Sequence, residues 1–416
     1  MADTLKPRTA EEVEEAVQWA LSRAAALELV GRGSKRAIGR PAQSDLTLDL
    51  SGLAGVILYE PEELVLSAEA GTPLDEIEAL MAAKGQHLAF EPIDYGPLLT
   101  GAPSSATIGG VLVANLCGPR RIAAGAARDH FLGFEAVSGR GEFFKSGGRV
   151  VKNVTGYDVS KLVAGSWGTL AALTTVTIKT LPRPQTRATV VVSGLDDATA
   201  VRAMAAAMAT SCDVSGAAHL PATVIRRSGL GTAAGRSLTA LRLEGVGPSV
   251  DHRKAVLMAA MKPFVKALGA VELCDENASR DLWRAIRDVR PFTGADVSAR
   301  PVWRIVTAPS RGAELVGMVA ATAGAEELET EVLYDWAGGL IWAMLAPSDD
   351  AGAALIRRAV DVCGGQATLI RAPAATRAAV DVFSPQEPGL ASLTKRIKQG
   401  FDPNGVLNPG RMWAGV

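Results

Sequence analysis

Apolar residues in the first part of the chain switch between two spacings. Val13, Ala16, Val17, Ala20, Leu21 and Ala24 fall three or four apart on one helical face, behind a capping box of Thr9 and Glu12. The run Leu27–Val30 is too short for a helix and reads as a strand, as do residues 46–50, 55–59 and 64–70. Thr72-Pro73 opens a second helix, with Leu74, Ile77, Leu80 and Met81 on one side and Gly85 at its end. Residues 131–137 and 142–145 flank Ser138-Gly139-Arg140-Gly141 as a hairpin. Asp158 caps a short helix carrying Val159, Leu162 and Val163 that stops at Gly165. Residues 175–179 then alternate like a half-buried strand, ended by Pro182 and Pro184.

Beyond Pro184 the order of elements changes. From residue 187 to 371 it runs strand, helix, strand, strand, helix, strand, and then repeats. The second round is the clearer: strands at 303–307, 331–336, 340–345 and 368–371, with helices at 312–323 and 351–362. This is the split βαβ order of ferredoxin-like units. The expectation is therefore an α+β chain with one domain over 1–184 and a separate domain over 185–385 holding two such units in one sheet. A last segment, 386–416, is helical around Leu390, Leu393 and Ile397 and ends in a turn-rich tail.

A length of 416 residues suits two or three domains with substantial cores. With 43 Lys and Arg against 44 Asp and Glu, and no basic run with interleaved aromatics, nucleic-acid binding has no electrostatic support. The four cysteines, Cys117, Cys212, Cys274 and Cys363, are scattered, which points to reduced thiols and away from an iron–sulfur cluster or structural zinc held by this chain. The N-terminus has no signal-peptide pattern and no apolar run reaches membrane-spanning length, so a cytoplasmic chain with membrane contact only through partners is expected.

Three stretches are rich in small residues. Gly31, Arg32, Gly33, Ser34 and Lys35 follow the strand Leu27–Val30 without the third glycine or helix of a Rossmann fingerprint. The turn can make an anion-binding nest, with a solvated basic turn as the alternative. Residues 101–110, including Pro103, Ser104, Thr107, Gly109 and Gly110 and continuing through Asn115, stand far from any helix pattern and suggest backbone laid along an extended ligand. Residues 165–169 make a third loop, Gly-Ser-Trp-Gly-Thr.

In this order, GRGSK at 31–35, TIGG at 107–110 with Asn115, Arg128-Asp129, KNVTGYD at 152–158, GSWGTL at 165–170 and FDPNGVLNPG at 401–410 resemble the vanillyl-alcohol-oxidase family of FAD flavoproteins, the PCMH type. The resemblance covers 1–184 and 386–416, and the middle domain in topology alone. Within the family, KNVTGYD and the compact size are most similar to the FAD-binding E subunits of bacterial glycolate oxidase. The resemblance implies an FAD-binding domain of two α/β subdomains, a cap over 185–385, and a C-terminal segment that returns to the FAD domain. It also implies a larger FAD-containing subunit and an iron–sulfur subunit as partners, and contact with the inner membrane only through that complex. Residues 31–35 would wrap the FAD pyrophosphate. Pro103, Ser104, Thr107, Gly109, Gly110 and Asn115 would line the diphosphate, ribityl chain and ring, Gly168, Thr169 and Leu173 the adenine side, and Asn408 would close over the flavin. Relatives that bind FAD covalently use a His near the pyrophosphate loop; Arg32 stands here, so FAD should be non-covalent.

Related 2-hydroxyacid dehydrogenases carry a histidine-built metal site in the cap. Here His219 and His252 are isolated, and each reads as a packed or surface residue, so no metal is expected. A 2-hydroxyacid still needs a cation for its carboxylate and a base for its hydroxyl. Arg304, inside the apolar run 302–306, is the carboxylate candidate, with a solvent-facing strand arginine as the alternative. Tyr334 and Asp335 are candidates for the base, and Arg284, Arg287 and Arg290 read as a solvated helix face. The expected activity is oxidation of glycolate, or D-lactate, to the 2-oxo acid, with electrons leaving through a partner. Two alternatives stay open: a non-catalytic flavin-binding scaffold, and a free-standing FAD-dependent 2-hydroxyacid dehydrogenase.

Overall fold

Thr9 starts the first helix through its side chain. In a computed structural model of the chain, which describes residues 3–149, 156–228, 230, 235–265, 269–325 and 329–416, the Thr9 hydroxyl accepts the Glu12 N–H. The Glu12 carboxylate reaches one residue past the box, to the Arg8 N–H. The helix, Ala10–Arg23, buries Val13, Val17 and Ala20 beside a small parallel sheet. That sheet orders β1 (Asp3–Leu5), β3 (Leu46–Asp49) and β2 (Leu27–Val30).

A second, antiparallel sheet orders β4 (Val56–Glu60), β5 (Val65–Glu69), β9 (Ala171–Lys179), β7 (Phe131–Ser138) and β8 (Phe143–Gly147). Strand β9 begins at Ala171, four residues before the alternation in the sequence. Its first four residues are buried on both faces, so they carry no period-two signal. A two-residue ladder pairs β6 (Gln86–His87) with β10 (Leu181–Pro182). The stretch 101–110 is not wholly extended: Thr107 accepts the Gly110 N–H and starts a helix at Ile108–Val113. No amphipathic pattern announces it, because both its faces are buried and Gly109 must lack a side chain, a Cβ there lying 2.8 Å from Ala70. Residues 152–155 of the KNVTGYD motif lie outside the described residues.

The cap forms one sheet of eight strands, β11 (Thr186–Ser193), β12 (Gly216–Leu220), β13 (Leu238–Gly245), β14 (Val271–Cys274), β15 (Val302–Val306), β16 (Thr330–Asp335), β17 (Leu340–Leu345) and β18 (Gln366–Arg371). The spatial order is β14-β11-β13-β12-β16-β17-β15-β18. Each half repeats the ferredoxin-like arrangement, fourth strand, first, third, second, and the halves meet at their second strands through His219 and Tyr334. Val190, Val192, Leu241, Trp303, Ile305 and Ile341 face the cap's own helices. Val191, Ala218, Ala240, Val302, Trp342 and Met344 face a core shared with Phe90, Ile93, Tyr95 and Leu98 of the N-terminal region. The seam is pinned by charge as well. Arg120 donates to Glu244 at 2.8 Å and Arg242 to Glu91 at 3.0 Å, one bridge in each direction.

The C-terminal helix, Pro388–Phe401, inverts the usual pattern: Leu390 and Leu393 are about half exposed, and Lys398 is the buried residue. Its ammonium donates to Asp402 (2.6 Å), the Thr169 carbonyl (2.7 Å) and the Leu407 carbonyl (2.9 Å). Asp402 in turn accepts the Val406 and Leu407 N–H groups. Removing one partner of a buried pair strands the other. Asp402→Ala should therefore lower stability by about 3 kcal/mol in urea unfolding, whereas Leu393→Ala should stay within about 0.5 kcal/mol. Equal effects would show that the pair does not anchor the tail.

Candidate active site

Strand β2 feeds directly into a turn whose backbone cannot carry ordinary side chains. Gly33 has φ +73°, and a Cβ on Gly31 would lie 2.3 Å from the Thr107 hydroxyl. Around the turn is a narrow cavity lined by Gly31, Arg32, Gly33, Ser34 and Lys35, by Thr107, Gly109 and Gly110, and by Gly168, Leu173 and Asn408. Two cations sit in it without a counter-charge. Lys35 hydrogen-bonds Ser34 at 2.9 Å, and burial, with Arg411 nearby, pulls it down to about 8. Arg411 donates to the Lys35 carbonyl, its Nε is buried without a partner, and burial lowers it to about 10. Among the described residues no carboxylate lies within 4 Å of either. Arg36, by contrast, is taken by Glu28, and Arg32 donates to Ser105. A turn of free backbone N–H groups beside two unpaired buried cations suits a diphosphate.

Asn408 lines the cavity but its side chain is already engaged, and the remaining residues singled out for the cofactor fall elsewhere. Asn408, at φ +45°, accepts the Leu29 N–H and donates to the Trp167 carbonyl, both at 2.8 Å, so it pins the tail to the turn rather than offering its amide. Thr169 is buried outside the cavity lining and donates to Ser166. Pro103 is exposed, and Ser104 is held by Asp94 through both its N–H and its hydroxyl. Asn115, at φ +48°, accepts the Arg128 N–H and lines the neighbouring cleft instead.

That cleft, about 980 Å³, meets the first cavity at Ala114 and Trp167 and runs between the N-terminal region and the cap sheet. Alternation along β15 turns Trp303 and Ile305 toward the cap helices and Arg304 into the cleft. Its guanidinium lies 5.1 Å from the centre of the Trp336 ring, and that of Arg121 lies 4.8 Å from it. Trp336 is fixed by its indole N–H on the Gly118 carbonyl, 3.0 Å away. No carboxylate among the described residues lies within 4 Å of Arg304. Tyr95 packs edge-on against Trp342, and burial pushes its hydroxyl up to about 12. Burial likewise raises the Cys117 thiol, which sits 3.6 Å from Arg121.

Sequence reasoning passed over Arg121, Trp336, Tyr95 and Arg411. No sequence pattern marks them; the structure does at 336–337, where Trp336 (φ +51°) and Ala337 (φ +57°) hold consecutive left-handed conformations without glycine. Tyr334 is not a base for this cleft: it faces the opposite side of the sheet and donates to Asp197 at 2.8 Å. Asp335 lies outside the cleft lining, where burial pushes it up to about 7 while it accepts the Trp336 N–H. His219 is packed against Thr239, and His252 is exposed. Arg284 and Arg290 are exposed, but Arg287 is not solvated freely: it is clamped on Asp288 by two bonds of 2.7 and 2.8 Å.

A family model described as an FAD binding domain matches residues 2–147. Glycolate oxidase subunit GlcE of Escherichia coli (strain K12) is 32% identical over 401 residues, 96% of this chain and 96% of that protein. Glycolate oxidase subunit GlcD of Bacillus subtilis (strain 168) is 25% identical over 409 residues, 90% of this chain and 80% of that protein. Among solved structures, p-cresol methylhydroxylase with substrate bound aligns with a TM-score of 0.73 over 99% of this chain and 88% of that chain, at 14% identity, a likeness of fold. The fold and these relatives define an FAD-linked oxidoreductase of the PCMH type, and the cofactor is FAD. The chain belongs to the family of glycolate oxidase subunit GlcE.

Gly33→Val should reduce acid-released flavin per chain at least tenfold while the fold persists by circular dichroism, because a β-branched residue is strained at positive φ and fills the space the phosphates need. Unchanged occupancy would place the diphosphate elsewhere. The titration of Lys35 adds a pH signature. A bound diphosphate favours the ammonium, so binding takes up a proton above pH 8. The FAD dissociation constant should be flat below that value and rise above it by at most about tenfold per pH unit. Fluorescence titration should find this slope abolished in Lys35→Met, and a flat wild-type profile would contradict it.

Proposed function

We propose that the chain is the FAD-binding subunit of a glycolate oxidase complex and takes part in oxidising glycolate, or D-lactate, to the 2-oxo acid. In this reading residues 1–184 and 386–416 hold the flavin without a covalent bond, and residues 185–385 cap it. The observation that supports it best is the pair of guanidiniums, Arg304 and Arg121, stacked on Trp336 in the cleft that opens from the FAD cavity. A small 2-hydroxyacid presents one carboxylate, which one or both guanidiniums can bind by charge-assisted hydrogen bonds. Tyr95 stays protonated at neutral pH and can donate to the substrate oxygen, orienting the carbon that loses hydride. When bound, FAD supplies the hydride acceptor.

The carboxylates of the cleft, Asp361 and Glu387, are both exposed. That favours a second reading, in which the larger FAD-containing partner removes the hydroxyl proton and this chain carries electrons. In this reading an iron–sulfur partner takes the electrons onward. Among the described residues no helix is long and apolar enough to cross a membrane, in keeping with membrane contact through partners.

Anaerobic addition of glycolate should bleach the flavin of the chain co-purified with its partners and leave the isolated chain largely oxidised. Full turnover by the isolated, iron-free chain would instead promote the free-standing dehydrogenase. Arg304→Gln should raise KM for glycolate in the complex by about 10- to 100-fold, the cost of one charge-assisted contact. An unchanged KM would remove Arg304 from the substrate site.

A further inference from the structure

A third cleft, of about 240 Å³, lies where the ladder of β6 and β10 meets the cap helix Glu276–Arg287. It shares no lining residue with the FAD cavity or the substrate cleft. Seven arginines line it, and their partners can be accounted for one by one. Arg120 and Arg242 are spent on Glu91 and Glu244, and Arg287 on Asp288. Four are left: Arg183, Arg187, Arg280 and Arg284.

Arg187, on β11, is the inner member. Its side chain is 13% exposed, and its Nε is buried with no hydrogen bond. Its nearest carboxylate, the half-exposed Glu276, lies 3.9 Å away and stands at the same distance from Arg280. Arg183, just beyond β10, and Arg284, one helical turn from Arg280, are exposed at the rim with no carboxylate within 4 Å among the described residues. Four guanidiniums from three elements thus line one cleft, with Glu276 loosely held between Arg187 and Arg280 and Glu78 on the lining. Burial pulls His87, on the same lining, down to about 4, with Arg120 lowering it further and Glu244 and Glu91 opposing, so the imidazole is neutral at pH 7 and adds no charge. The back wall is rigid: Trp283 donates to Thr189 at 2.9 Å, and Arg242 stacks on its ring at 4.5 Å.

An Nε of this kind is costly to bury unpaired, and an excess of guanidinium forks matches carboxylate or phosphate oxygens. We propose that this cleft binds a small oxyanion carrying two or more negative charges, of the phosphate or dicarboxylate type, clamped between the flavin domain and the cap. Four guanidiniums against Glu276 and Glu78 leave a surplus of two, more than a monocarboxylate hydroxyacid offsets. The site is thereby distinguished from the substrate cleft.

The test is isothermal titration calorimetry on the FAD-loaded full chain, so that the flavin phosphate cavity is already filled, at constant ionic strength. Inorganic pyrophosphate and succinate are the two probes. At least one should bind saturably at one site per chain with a dissociation constant below about 1 mM, and which probe binds assigns the phosphate or dicarboxylate class. Arg284→Gln, an exposed change that leaves packing intact, should weaken binding at least tenfold. Arg187→Gln should do the same, and Arg311→Gln, a half-exposed arginine elsewhere that pairs with Glu314, should have no effect. Absence of saturable heat with both probes, or equal loss in Arg284→Gln and Arg311→Gln, would overturn the proposal.

Discussion

A single buried ammonium holds the two ends of this chain together. Lys398 spans Asp402, Thr169 and Leu407, and through them joins the last helix, the loop before β9 and the final turn. Leu407 then lies parallel to Leu27, and Asn408 ties Leu29 to Trp167. Arg411 closes on the backbone of Lys35. The glycine turn, the loop at Trp167 and strand β2 are thus held through the C-terminal tail. The pair is chemically expensive to bury and is tolerated because each of its polar atoms has a protein partner. Its effect is positional: it makes a phosphate cavity from segments nearly 400 residues apart.

The second constraint is the seam. Arg120 and Arg242 cross between the N-terminal region and the cap in opposite directions, and the arrangement holds Glu244 well below the usual carboxylate range. Such a bridge resists sliding more than it adds stability, since two charges of each sign were desolvated to make it. What it fixes is the distance across the cleft between the N-terminal region and the cap sheet. Trp336 reaches from the cap to the Gly118 carbonyl, two residues from Arg120, and so the wall that carries Arg304 and Arg121 is set by the same contact.

Much of this was legible in the sequence, and the failures have identifiable causes. The capped helix Ala10–Arg23 and the repeated strand–helix order of the cap follow from spacing alone, because each element has one wet and one dry face. The helix Ile108–Val113 and the start of β9 are dry on both faces, so periodicity is silent there. The turn 31–35 was recognisable by its glycines. Arg411 and Arg121 were not, because an arginine's role depends on which carboxylates the fold withholds from it. Tyr334 was mistaken for a cleft residue for a simpler reason: one residue of register decides which face of a sheet a side chain joins.

The cap is one supersecondary unit used twice, and its two copies have been put to different ends. Strand β11 opens the first copy and β15 the second, and the sheet places them symmetrically about the central contact of β12 with β16. Arg187 and Arg304 stand on these equivalent strands and project from the same face of the sheet, toward the N-terminal region. A duplicated surface offers a duplicated opportunity. The second copy sets its arginine in the cleft that adjoins the glycine-turn cavity, whereas the first, displaced along the sheet, holds its arginine over the seam with the N-terminal region. Internal repetition of this kind presents one side-chain position twice, in two different surroundings.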